Sequence, residues 1–264
     1  MSLLHSDAKD PLIIAALHLP DFALDRNISM AFLEDYTLAN AEVFVGAGIK
    51  RIMLQDQTRQ KGPTSAETIA MTAALGRALK LAHPDVSLGI IVEAHDAIGP
   101  LAIAHASGAD FVRLKIFVGA AMTMEGRKEA LAVEALTYRH QLRREDILIF
   151  ADVFDRTCVP LIDVAPEQAA VGAQQLGADA LVITGATFDE SLQRIANAKA
   201  AGITRPILLG GSVTTSNVAQ VLGVADGAIV STALMRTGAG PRDRIYWDRQ
   251  KAQDFMEAAR ARHA

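Results

Sequence analysis

What this sequence lacks narrows it first. Of 264 residues only one is cysteine, Cys158, so no disulfide can form within the chain and no multi-cysteine zinc site can be built. No apolar run approaches the roughly 18–20 residues of a membrane-spanning helix. There is no basic excess: 26 Lys and Arg against 30 Asp and Glu leave a formal charge of −4, without the cationic stripe that nucleic-acid binding needs. The opening MSLLHSDAKDP carries acids and a lysine where a secretion signal would place its apolar segment, so a cytoplasmic protein is expected.

What is present is ample apolar material, 50% hydrophobic against 21% charged, in a repeating order. Apolar runs at 12–17, 49–54, 86–92, 111–118, 147–153, 180–183, 207–209 and 227–230 read as strands. Helical spacing fills the stretches between them: 29–47, 64–82, 96–106, 125–142, 166–176, 189–201 and 216–222, with a last helix at about 242–263. Thr64 and Glu67 have the spacing of a capping box. The segments AGIKRI, SGADFV, LGADALVI and GVADGAIV each place glycine just before a strand, as tight helix-to-strand turns require. Continuous apolar strands imply a parallel sheet covered on both faces. Eight strand-then-helix units fit a closed (β/α)8 barrel, with a doubly wound open sheet as the rival. No linker or low-complexity stretch divides the chain, so a single domain over 1–264 is expected.

In such a barrel the functional side chains gather at the C-terminal ends of the strands. Those ends carry His18, Gln55, Asp56, Glu93, Arg113, Lys115, Asp152, Thr184, Ser212, Ser231 and Thr232. The strongest local signal is LLGGSVTTSN, where Gly210, Gly211 and Ser212 lead into a helix expected near Thr214 or Thr215. Glycines let backbone N–H groups approach a phosphate, and a helix N-terminus adds partial positive charge. Ser231 and Thr232 open the next turn, and these two loops are the recurrent phosphate site of the fold; the competing reading is an ordinary turn with capping residues. Thr184-Gly185 repeats the theme after the sixth strand, as a substrate contact or a helix cap.

Asp152, Glu93, Lys115, Arg113 and His18 are the catalytic candidates. Arg113 and Lys115 stand two apart and share a face, which is costly to bury without anions. Either Glu93 and Asp152 balance them, or they hold a substrate phosphate or carboxylate. Asp152 is a candidate general base, with ion pairing to Arg113 or Lys115 as the alternative. The acids with His18 have the chemistry for Mg²⁺ or Mn²⁺, but no close-spaced ligand motif supports a metal, and no organic cofactor is expected. His95 ranks below His18. His5, His83, His105, His140 and His263 fall in tails or helices, and Cys158 reads as inert. Tyr246, Trp247, Phe255 and Met256 form a stripe suited to packing or to a homo-oligomer interface.

Taken in order, AALHLP, ETIAMT, LAIAHASGADFVRL, IFADV, ADALVITG, GGSVTTSN and ADGAIVST resemble the BtpA/SgcQ family over about residues 13–230. The resemblance implies a TIM barrel of the phosphate-binding group. It also implies a link to photosystem I accumulation in phototrophs and to sugar-uptake and pentose-phosphate genes in other bacteria. His18, Arg113, Asp152, Thr184-Gly185 and Gly211-Ser212 fall on the family's motif positions. Gln55-Asp56 stands where Glu-Asn is usual, IVEAHD replaces NVLRND, Lys115 replaces a common asparagine, and Asp155-Arg156 replaces Lys-His. Two function classes follow: an enzyme acting on a phosphorylated sugar or nucleotide-derived substrate, or a non-catalytic biogenesis and stability factor.

Overall fold

The computed structural model describes residues 3–4, 6, 10–154, 156–240 and 242–261. In chain order the elements are β1 (Leu12–His18), α1 (Met30–Gly46), β2 (Arg51–Gln55), α2 (Ala66–Ala82), β3 (Ser87–Ile91), α3 (Ile98–Ser107), β4 (Phe111–Leu114), β5 (Ala120–Thr123) and β6 (Gly126–Glu129). They continue with α4 (Ala132–Gln141), β7 (Leu148–Val153), β8 (Val159–Pro160), α5 (Pro166–Gln175), β9 (Ala180–Ile183), α6 (Phe188–Ala200), β10 (Ile207–Leu209), α7 (Val218–Val224), β11 (Gly227–Val230) and α8 (Arg249–Arg260). Eight parallel strands close in the order β1-β11-β10-β9-β7-β4-β3-β2. Closure is fixed by β1, which pairs β11 through Leu12↔Gly227 and β2 through Ile14↔Arg51. The open-sheet alternative is excluded.

Strand alternation sorts the core into two. Outward residues such as Ile13, Ala15 and Leu17 pack under the helices, while Leu12, Ile14, Ala16, Met53, Phe111, Phe150, Val182 and Leu208 fill the barrel. Phe111 stacks on Phe150 with centroids 4.5 Å apart. Gly89 makes that possible: a Cβ there would lie 2.1 Å from the Phe111 ring. At the lower end Arg51 and Asp10, both buried, are 3.2 Å apart, and Arg51 also donates to the Leu3 and Pro11 carbonyls. These contacts close the lower end of the interior.

Five expectations are corrected. The stretch 125–142 is not one helix: β5 and β6 form a hairpin around Met124 and Glu125, and α4 begins at Ala132. Gly126, at φ 108°, turns the chain there, and Thr123 Oγ1 accepts from the Glu125 amide, so local turn chemistry overrides helical spacing. Strand β8 joins β5 to make a three-stranded antiparallel sheet. The α2 cap is Ser65, accepting from Thr68 N, and the Thr64 amide donates to Asp96 Oδ2 instead of completing a capping box with Glu67. Helix α7 starts at Val218, after Asn217 Oδ1 has accepted from the Thr214 amide. Helix α8 starts at Arg249, where Asp248 accepts from Lys251 N; His5 and His263 lie outside the described residues. Trp247, Phe255 and Met256 are fully buried within the chain, so they are not available to an interface between copies.

Candidate active site

The inward parity that fills the barrel continues above the last core layer. His18 is in phase with Ala16, Gln55 with Met53, Glu93 with Ile91, Arg113 and Lys115 with Phe111, Thr184 with Val182, Gly210 with Leu208, and Ser231 with Ile229. All of these, with Gly211, Ser212 and Thr232, line one cavity of about 410 Å³ at the barrel mouth. Gly185 does not line it; its amide donates to Ser191 Oγ at 2.8 Å. Asp56 is out of phase and fully buried on the outer side. There Oδ1 accepts from Thr58 N at 3.0 Å, and burial pushes its carboxyl above the usual range, against smaller opposite pulls from hydrogen bonds to Thr58 and the Glu93 backbone.

Arg113 and Lys115 each take a carboxylate from the neighbouring strand on one side. Arg113 Nε donates to both oxygens of Asp152, on β7, at 3.1 and 3.2 Å, and Nη2 donates to Oδ1 at 2.9 Å. Lys115 Nζ reaches Glu93 Oε2, just beyond β3, at 2.6 Å, and Gln55 Nε2 donates to Glu93 Oε1 at 3.2 Å. The two pairs differ in access. Asp152 is 3% exposed and does not line the cavity, whereas Glu93 and Lys115 are 15% and 28% exposed and do. Glu93 and Lys115 are therefore the ionisable pair that a molecule in the mouth would meet, and Asp152 holds Arg113 from behind.

At the far wall, His18 Nε2 and Ser231 Oγ share a hydrogen bond of 3.1 Å. Burial lowers the His18 pKa, against a smaller opposite pull from Glu93, so the imidazole is neutral at neutral pH. Tyr36 donates to the His18 carbonyl at 3.0 Å, and the Trp247 edge stands 6.1 Å from the ring. The turn after β10 sits beside this pair. Ser212 has φ 61°, and Asn217 Nδ2 braces it by donating to the Ser212 carbonyl at 2.9 Å. Among the described residues nothing accepts from the Gly211 and Ser212 amides. Gly210 is confined: a Cβ would stand 2.5 Å from Val182 Cγ1 and 3.3 Å from the Arg113 guanidinium. Because α7 begins at Val218, two to four residues later than expected, the donors here come from the turn and not from a helix end.

Several lining residues escaped the sequence reading. Arg156, on the loop after β7, crosses the mouth; its Nη1 donates to Ser212 Oγ at 3.1 Å and its guanidinium lies over Gly211. The hairpin roofs the cavity with Thr123, Met124, Glu125 and Lys128. Glu125 pairs with Lys128 at 3.6 Å and Arg59 at 3.9 Å, and His95 Nε2–H donates to the Glu129 carbonyl at 2.7 Å, tying the roof to two other loops. Cys158 also lines the mouth. The one available signal was Arg156 itself, in a pair of residues unlike the usual Lys-His; Asp155 lies outside the described residues. Among the described residues no group of three or more His, Cys, Asp or Glu is placed to hold a metal ion. No helix among them is long and apolar enough to cross a membrane.

Comparison with known proteins agrees with this architecture. The sequence model of the BtpA family matches residues 9–261. An uncharacterised protein of Archaeoglobus fulgidus is 33% identical over 181 residues, 68% of this chain and 72% of the relative. The photosystem I biogenesis protein BtpA of Synechocystis is 33% identical over 172 residues, 64% of this chain and 59% of the relative. Among solved structures, KGPDC from Streptococcus mutans superposes with a TM-score of 0.57 at 13% identity, covering 96% of this chain and 98% of that one, a likeness of fold.

Proposed function

This chain belongs to the BtpA family, and we propose that its barrel mouth binds and transforms a phosphorylated sugar or nucleotide-derived substrate. The observation that carries this reading is the Arg156 guanidinium over Gly211, bonded to a neutral hydroxyl on Ser212 beside two unpartnered amides. A phosphate would accept from those amides and from Arg156 together, a charge-assisted arrangement stronger than any contact the turn makes alone. Ser231 and Thr232 supply further hydroxyls from the adjacent turn, with Thr184 opposite.

With the phosphate anchored there, the rest of the substrate extends toward Glu93 and Lys115. A carboxylate and an ammonium 2.6 Å apart can take a proton from one substrate atom and return it at another. Arg113, held by Asp152, faces the same space and opposes negative charge developing on a substrate oxygen. Isomerisation, epimerisation, lyase chemistry and glycosidic cleavage all use these parts. The test is thermal shift and calorimetry with inorganic phosphate and ribose 5-phosphate on the native chain and on Arg156→Met. Stabilisation of the native chain, weakened about tenfold in the variant, supports the site. No stabilisation of the native chain sinks it.

A biogenesis role, as named for the Synechocystis relative, has one observation in its favour. The hairpin sheet and the residue after it expose Met122, Val159 and Leu161, a surface suited to a partner. Lys115→Met separates the classes: full function in a chain with normal expression would favour the partner role.

A further inference from the structure

Beside the mouth lies a second hollow of about 480 Å³, under the loop that follows β1. His18 and Arg59 line both spaces. Ser231, on the turn between the Gly211–Ser212 turn and His18, bonds His18 at 3.1 Å, so His18 stands between the mouth and the second hollow.

The walls of the two spaces differ in kind. The mouth is dense in charge, whereas the hollow presents Leu19, Pro20, Leu24, Tyr36 and Tyr246 together with Asp21, Gln57 and Arg59. Leu24 is 84% exposed, held on the rim because Asp21 Oδ1 accepts from both the Ala23 and Leu24 amides at 3.0 Å. Tyr246 is fixed from behind: its amide donates to Asn40 Oδ1 at 2.8 Å, and its ring meets Trp247 edge-on at 5.1 Å. A rigid aromatic face and an exposed leucine at the edge of a wet cavity suit a flat ring that is apolar on its faces and polar at its rim.

We propose that this hollow receives the base of a nucleoside monophosphate, with the ribose passing His18 and the phosphate on the Gly211 and Ser212 amides. The proposal rests on the phosphate reading above and narrows it from phosphorylated sugars at large to those bearing a planar ring.

The test is calorimetry with adenosine 5′-monophosphate, uridine 5′-monophosphate and ribose 5-phosphate on the native chain, Leu24→Ser and Tyr246→Leu. At least one nucleotide should bind about tenfold more tightly than ribose 5-phosphate, and each substitution should erase that margin while leaving ribose 5-phosphate nearly unchanged. Leu24 is a surface residue, so its variant keeps the test valid if Tyr246→Leu unfolds. Equal affinities, or a margin that survives Leu24→Ser, would overturn the ring site alone. Failure of ribose 5-phosphate and both nucleotides to bind would remove the phosphate reading and this proposal with it.

Discussion

Arg113 grips Asp152 from the side, two nitrogens on one carboxylate, with the acid almost completely withdrawn from the cavity that its partner lines. The pair spans β4 and β7 and sits directly above the stacked rings of Phe111 and Phe150, the preceding inward residues of those strands. Asp152 thus acts on anything in the mouth through Arg113.

It follows that Asp152→Asn is first a stability variant. Leaving the guanidinium with half its partner should cost about 3–5 kcal/mol, read as a lower urea midpoint. Replacing both residues, Arg113→Met with Asp152→Leu, should recover most of that loss. A double variant no more stable than Asp152→Asn would show that the pair's value lies elsewhere.

Two glycines should respond in opposite directions to the same change. Gly89→Ala drives a methyl into the Phe111 ring and should cost about 1–3 kcal/mol. Gly172, inside α5, has open space where its Cβ would stand, so Gly172→Ala should add about 0.5–1 kcal/mol through helix propensity. Urea unfolding of both variants checks the pair.

Asp56 binds its proton more tightly in the folded chain than in the unfolded one, because burial penalises the carboxylate more than Thr58 relieves it. Its contribution to stability is therefore complete below about pH 3.8 and is lost as pH rises through the higher folded value. Asp56→Asn should stabilise the protein at neutral pH by about 1 kcal/mol and give no gain at strongly acid pH. Thermal melts across that range decide it; a gain of the same size at both ends would rule out titration as the cause.

His18 works in the reverse sense. Burial depresses its pKa, so the stability tied to its neutral form is present above pH 6.5 and drains away as pH falls through the lowered folded value. His18→Gln should flatten the acid limb of the stability profile below pH 6.5 relative to the native chain. An unchanged slope would mean that other groups carry the acid sensitivity.

The barrel and most of its rim could be read from the residues because both obey a period of two. Runs such as ALVI at 180–183 and GAIV at 227–230 coincide with β9 and β11. The same alternation, carried one or two positions past each strand, separates Gln55, in the mouth, from Asp56, behind it; pairing the two as neighbours in sequence concealed their opposite faces. The roof was illegible for a different reason. Residues 120–129 form a hairpin through turn geometry and pairing with the distant 159–160, and no local period announces such a contact. Arg156 was likewise invisible as a ligand for Ser212, because only the placing of β7 and β10 on either side of β9 brings loops 56 positions apart within reach.

The roof is encoded apart from the walls. Segments 116–131 and 154–165 carry the little sheet, and neither holds a rung of the barrel ladder. Insertions, deletions and substitutions there can reshape the ceiling over Glu93 and Lys115 without disturbing a single parallel pairing beneath it. Descendants of one ancestral chain can thus differ in the ceiling while the walls keep the same pairings, and divergence should accumulate in the ceiling first.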